Sequence, residues 1–117
     1  MRDVPASLSA WAERGRGVSI AGRELFVVDL GPRDAEQTLI LLHGFPTSSH
    51  DFHRVIDRLA ATRRVVVHDH LGFGLSDKPS DYSYSLLEQA EYALLLWREL
   101  GIARAHLLAH DYGTSIA

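Results

Sequence analysis

Three apolar runs, Thr38 to Leu42, Arg64 to His68 and Ala105 to Ala109, alternate with two stretches of helical periodicity. This alternation limits the fold more than any other feature of the chain. Runs rich in leucine and β-branched residues, with no polar face, are what strands covered on both sides look like. Between the first two runs, Phe52, Val55, Ile56, Leu59 and Ala60 gather on one helical face, with Ser48 and Asp51 spaced as a capping box. Between the second and third, Ser85 and Glu88 form another such box. Leu86, Ala90, Ala93, Leu94, Trp97 and Leu100 make a stripe there, and Gly101 supplies the C-terminal cap. Strand, helix, strand, helix, strand means parallel βαβ units with right-handed crossovers. Upstream, Val18 to Ile20 and Glu24 to Leu30 flank Ala21-Gly22-Arg23 as a hairpin, and Gly31-Pro32-Arg33-Asp34 ends it. The expected fold class is α/β, a mostly parallel sheet with an antiparallel N-terminal hairpin and flanking helices. Ala105 to Ala109 is expected to be a buried strand.

Charge and cysteine content narrow the partners. Twelve basic residues against fifteen acidic ones leave a net charge of -3, so no basic footprint for nucleic acid or an anionic membrane exists. The absence of cysteine rules out disulfides and thiolate metal sites and fits a reducing compartment. Asp3, Pro5, Glu13 and Arg14 interrupt the N-terminus before a secretory core can form, and no apolar run approaches the roughly 18 residues of a membrane span. A soluble, cytoplasmic protein is expected. Seven histidines invite a metal reading, but the pairs His50/His53 and His68/His70 bring no supporting ligands. Surface, strand-end and supporting roles are expected for them. Gly72-x-Gly74 lacks the third glycine of a dinucleotide loop, since Asp77 stands there. No cofactor and no metal are expected, and the sequence assigns no oligomeric state.

In an α/β sheet, ligands sit beyond the carboxyl ends of the strands. Those ends are His43-Gly44-Phe45-Pro46, the segment from Asp69 to Asp77, and His110-Asp111-Tyr112-Gly113. In the third, a strand turns abruptly into a helix. The residue at the apex is strained, and its neighbours two before and two after must be small. Ala109 and Gly113 are those neighbours, so Asp111 is the apex. A carboxylate there, beside free N–H groups, stays ionised and needs no base to become a nucleophile. Its targets are saturated carbons bearing a leaving group, because displacement there yields an ordinary ester. Residue chemistry alone leaves two roles open for Asp111, nucleophile or cap of the following helix. Ser115, within Gly113-x-Ser115-x-Ala117, competes as an apex but lies too far beyond the end of the apolar run.

Taken together, H-G-F-P from His43 to Pro46, L-G-F-G-L-S-D-K-P from Leu71 to Pro79, and H-D-Y-G from His110 to Gly113 resemble the α/β-hydrolase-fold family with an aspartate nucleophile. Epoxide hydrolases, haloalkane dehalogenases and mesoderm-specific transcript proteins belong to that group, and the motifs are most similar to the last. The resemblance runs from about residue 16 to residue 117. It implies Asp111 as nucleophile, the backbone N–H groups of Phe45 and Tyr112 as oxyanion hole, and a cis Phe45–Pro46 peptide. It also implies that His43, Gly44, Phe45, Pro46, His110 and Tyr112 line the site of a small apolar substrate of epoxide or haloalkane type. Haloalkane dehalogenases usually place tryptophan after the nucleophile and asparagine after the His-Gly pair. Tyr112 and Phe45 stand at those positions, which favours epoxide opening over dehalogenation, and a non-catalytic relative of the fold that only binds a ligand or partner is the remaining alternative.

The same resemblance implies a histidine base and an acidic partner later in chain order, beyond Ala117. The expectation is therefore a short N-terminal extension, residues 1–15, followed by a partial hydrolase domain, residues 16–117. Such a fragment is expected to be inactive alone and to fold poorly, with its last strand as an exposed apolar edge.

Overall fold

The computed structural model describes residues 6–117, with side chains from residue 8 onward. Residues 1–5, on which the leader reading partly rests, lie outside the described residues. Helix α1 (Ala6–Glu13) leads into strands β1 (Arg16–Ile20), β2 (Arg23–Leu30) and β3 (Thr38–Leu42). Helix α2 (Ile56–Ala60), β4 (Arg64–His68), α3 (Leu86–Glu99), β5 (His106–Ala109) and α4 (Tyr112–Ile116) follow. The five strands form one sheet in the order β1-β2-β4-β3-β5. β1, β2 and β4 pair antiparallel, while β3 runs parallel to both β4 and β5. The mixed α/β sheet and its N-terminal hairpin match the sequence pattern. The hairpin turns through Ala21 and Gly22, both at positive φ, the conformation that suits the twist of the flanking strands.

Alternation along the strands divides the core in two. Leu25, Val27, Ile40, Leu42 and Val66 point to the face covered by Leu96 of α3. Phe26, Val28, Leu41, Val65 and Val67 point to the opposite face, where Trp11 of α1 and Ile56 of α2 pack. Successive residues of a strand point to opposite faces, so the hydrophobic runs are covered on both sides as their composition requires.

Several local expectations are corrected. Residues 49–60 are not one helix but a 3-10 turn (Ser49–Phe52) followed by the short α2. Ser48 caps the turn by accepting from the His50 N–H at 3.2 Å, and the Asp51 carboxylate accepts from the Thr47 hydroxyl instead of closing a box. At α3 the box is half formed. Ser85 Oγ accepts from the Glu88 N–H, but Glu88 accepts from the Ser83 hydroxyl. The buried positions of α3 are Gln89, Ala93 and Leu96, with Trp97 and Leu100 partly buried, whereas Leu86 and Leu94 of the expected stripe are exposed. Gln89 fixes this rotation, because its buried amide donates to the Leu71 carbonyl at 3.0 Å. β5 is not buried either. It forms the sheet edge, with Leu107 44% and Leu108 50% exposed.

Helix α1 has no counterpart among the elements expected from the pattern. Trp11 is buried against the sheet, its indole N–H donates to Ser49 Oγ at 3.0 Å, and Arg14 pairs with Asp57. Replacing Trp11 by phenylalanine removes that hydrogen bond and part of the packing. We expect a loss of about 1–2 kcal/mol, read as a shift in the denaturant midpoint.

Candidate active site

Register brings the three strand ends together. Leu42 lies level with His68 on one side and with Ala109 on the other, so the loops starting at His43, Asp69 and His110 leave the sheet at one height. Asp111 sits between β5 and α4 with φ 54° and ψ −116°, a region that costs a non-glycine residue about 1–3 kcal/mol. What holds it there is close packing beneath the turn. A Cβ on Gly113 would lie 2.6 Å from the Leu42 carbonyl oxygen and 2.8 Å from that of His43, so only glycine lets α4 descend onto β3. Gly44 is similarly close, with a built Cβ 2.9 Å from that of Asp111.

The cap reading of Asp111 does not match this geometry, since its side chain makes no capping hydrogen bond to α4. Instead, Oδ2 accepts from the Phe45 N–H at 3.0 Å. That amide first, the Tyr112 amide second, and His110 more weakly hold the carboxyl below the usual carboxylate range against a smaller opposing effect of burial. A lowered pKa keeps the group ionised across the neutral range. The Phe45–Pro46 peptide is cis. Phe45 and Pro46 are exposed, Gly44 is buried, His110 is exposed and Tyr112 is half-buried. Among the described residues, Asp111 is exposed. A recess of about 590 Å3, lined by Ile40, Trp97, Ile102 and Leu107 among others, follows the β5 edge and does not include Asp111.

Three of the histidines at this end of the sheet, His43, His68 and His70, are buried, whereas His110 is exposed. His43 Nε2 accepts from the His70 N–H at 3.0 Å, and its Nδ1 lies 2.8 Å from the Gly44 carbonyl. His70 Nε2 lies 3.0 Å from the His43 carbonyl. These partners assign the proton to Nδ1 of His43 and to Nε2 of His70. Thus His43 supports the Gly44–Phe45 turn from beneath. Burial, reinforced by His43, pushes His70 down to about 3. Burial also lowers His43 and lowers His68 further. Among the described residues, no group of three or more His, Cys, Asp or Glu side chains is placed to hold a metal ion. No described helix is long and apolar enough to cross a membrane.

These histidines predict acid sensitivity. Between about pH 6.5, where an unfolded imidazole takes its proton, and the value of about 3 for folded His70, the unfolded state binds more protons. Stability therefore falls as pH falls through that window, with His70 accounting for about one proton of the dependence and His43 and His68 acting in the same direction. Denaturant midpoints at pH 7.5 and 5 check this. His70→Gln, which keeps an N–H for the His43 carbonyl, should flatten the profile by about one proton.

Two participants were not singled out from the sequence. Asp69 is buried and accepts from the Ser49 N–H at 2.7 Å and the Leu75 N–H at 2.8 Å, tying the loop after β3 to the loop after β4. Phe73, in the latter loop, packs its ring near Phe45 and Tyr112. The Gly72-Phe73-Gly74 spacing marks a tight loop at a strand end, but only the structure shows where the ring points.

Comparison with known proteins identifies the fold family. The family model of the alpha/beta hydrolase fold matches residues 37–117. The mesoderm-specific transcript homolog protein of Bos taurus is 40% identical over 115 residues, 95% of this chain and 34% of that protein. A haloalkane dehalogenase of Bradyrhizobium diazoefficiens is 30% identical over 102 residues, 87% of this chain and 32% of that protein. Among solved structures, a loop variant of the haloalkane dehalogenase DbeA from Bradyrhizobium elkanii superimposes with a TM-score of 0.81 at 35% identity. It covers 87% of this chain and 33% of that one. The chain spans about a third of the length of these relatives.

Proposed function

Because the chain belongs to the alpha/beta hydrolase fold family, we propose that the protein carrying it hydrolyses a small apolar substrate at a saturated carbon through an ester of Asp111. The observation that carries this reading is the strained Asp111 whose Oδ2 is held by the Phe45 N–H. With that oxygen occupied, Oδ1 is the one free to attack. The electron pair of Oδ1 forms the new C–O bond while the bond from that carbon to the leaving group breaks and its electrons depart with that group. Oδ2 then becomes the carbonyl oxygen of the ester.

In the second step water, giving a proton to a base, attacks that carbonyl carbon and negative charge develops on Oδ2. Collapse then breaks the Cγ–Oδ1 bond, and the product leaves as an alcohol carrying Oδ1. The Phe45 N–H already points at Oδ2, with the Tyr112 N–H as the second donor. Fixed donors of this kind lower such a barrier by about 3 kcal/mol each. None of the three buried histidines is placed to be the base that activates water. His43 and His70 are buried and engaged in hydrogen bonds, and His68 is buried.

An epoxide is the favoured substrate, because Phe45 and Tyr112 occupy the positions where the haloalkane pattern has asparagine and tryptophan. A haloalkane is the second reading, favoured by the similarity to haloalkane dehalogenases. The full-length protein assayed on a panel of epoxides and short haloalkanes separates the two. Diol formation is the expected result, and halide release without it supports the second. Neither product from any panel member would overturn both.

A further inference from the structure

We propose that Phe73 sets substrate preference, by completing an aromatic platform beside Asp111 that seats an aryl group attached to the reacting carbon. The inference rests on the reading of Asp111 as nucleophile. Three rings from three loops meet there. Phe45 and Phe73 have ring centroids 5.8 Å apart and are nearly perpendicular, Phe73 and Tyr112 are 5.6 Å apart, and Phe45 and Tyr112 are 6.1 Å apart. Each separation falls in the range at which aromatic rings attract one another. The rings therefore pack on each other and leave no gap for an ammonium group between them, which excludes an aromatic cage for a cation.

Phe45 is exposed and Phe73 and Tyr112 are partly exposed, so each ring offers apolar area to a ligand. Phe45 is 63% exposed, and its backbone N–H holds the Asp111 carboxylate. A ligand lying on this surface is thus brought within reach of Oδ1. Phe73 is backed by both buried histidines, packing on His43 at 5.5 Å and His70 at 6.1 Å, and Tyr112 packs on His70 as well, at 5.6 Å. A buried, neutral histidine pair is a rigid backing. Flat, polarisable groups gain most from such a surface, because an added ring makes edge and face contacts that a short alkyl chain does not. The substrate class is therefore a neutral electrophile with an aryl substituent next to the carbon attacked.

The test compares a phenyl-substituted with an ethyl-substituted epoxide on the full-length protein. Phe73→Ala should lower the phenyl-to-ethyl ratio of kcat/KM by about 3- to 10-fold, the size of one lost aromatic pair, mostly through KM for the phenyl substrate. Phe73→Leu, which keeps apolar bulk without a ring, should give an intermediate loss and guards against misfolding of the alanine variant. Phe73→Tyr should restore the ratio. Leu75→Ala, exposed on the same loop and outside the platform, should leave it unchanged. Turnover with an unaltered ratio in Phe73→Ala and Phe73→Leu, or an equal loss on both substrates, would overturn the platform while leaving the role of Asp111 intact. No turnover by the unmodified protein would overturn both.

Discussion

Replacing Asp111 by alanine in the full-length protein is expected to lower turnover by at least about 10^4-fold, because under the proposed mechanism it removes the covalent nucleophile and with it the reaction path rather than one contact along it. The accompanying change in stability is small by comparison. Alanine inherits the strained conformation at φ 54°, and the Asp111 side chain loses the hydrogen bond from the Phe45 N–H and the weaker pull of the Tyr112 amide. Equal kcat losses in Asp111→Ala and in an exposed control such as Leu75→Ala would contradict the assignment. The expected pattern is loss in the first and retention in the second, with near-equal denaturant midpoints.

Gly113→Ala is the second large effect, and it acts on stability. The new methyl would meet two backbone carbonyl oxygens, at 2.6 Å from Leu42 and 2.8 Å from His43. Neither can swing aside as a side chain does. Overpacking of this kind costs about 1–3 kcal/mol, and here relief requires α4 to lift or the end of β3 to shift. Either movement displaces Phe45 relative to Asp111, so kcat should fall along with the denaturant midpoint. A variant with unchanged midpoint and full activity would show that the turn tolerates more space than the structure allows.

Local features of this architecture are legible in the sequence because they depend on nearby residues. The hairpin at Ala21-Gly22, the parallel runs of β3 and β4, and the strained turn between Ala109 and Gly113 all follow from period, turn chemistry and the size of flanking side chains. The rotation of α3 is different. Leucines at 86, 87, 94, 95, 96 and 100 exceed one helical face, so periodicity cannot choose among them. The choice falls to a polar group, Gln89, that finds a carbonyl at Leu71. Likewise, Ala105 to Ala109 has the composition of a covered strand, yet β5 lies at the sheet edge, and composition does not encode what lies alongside.

The candidate site shows the same division. Asp111, Phe45 and Tyr112 could be marked by strand-end position and resemblance. The convergence of Phe73 on the other two rings could not, since it links positions 28 and 39 residues apart whose meeting depends on the register of β3 with β4 and β5. The burial of His43, His68 and His70 was hidden for a related reason. A histidine after an apolar run reads as a strand-end polar group until the loops above it are seen to close.

The path of oxygen in a single turnover tests the central claim most directly. Full-length protein in excess over an epoxide, in water enriched in heavy oxygen, is digested after one cycle, and the peptide containing Asp111 is weighed. Attack by carbon-bound ester chemistry places one heavy oxygen in the Asp111 carboxylate and none in the first product molecule. A labelled product beside an unlabelled Asp111 peptide would mean that water reaches the carbon itself and that this carboxylate never bonds to it.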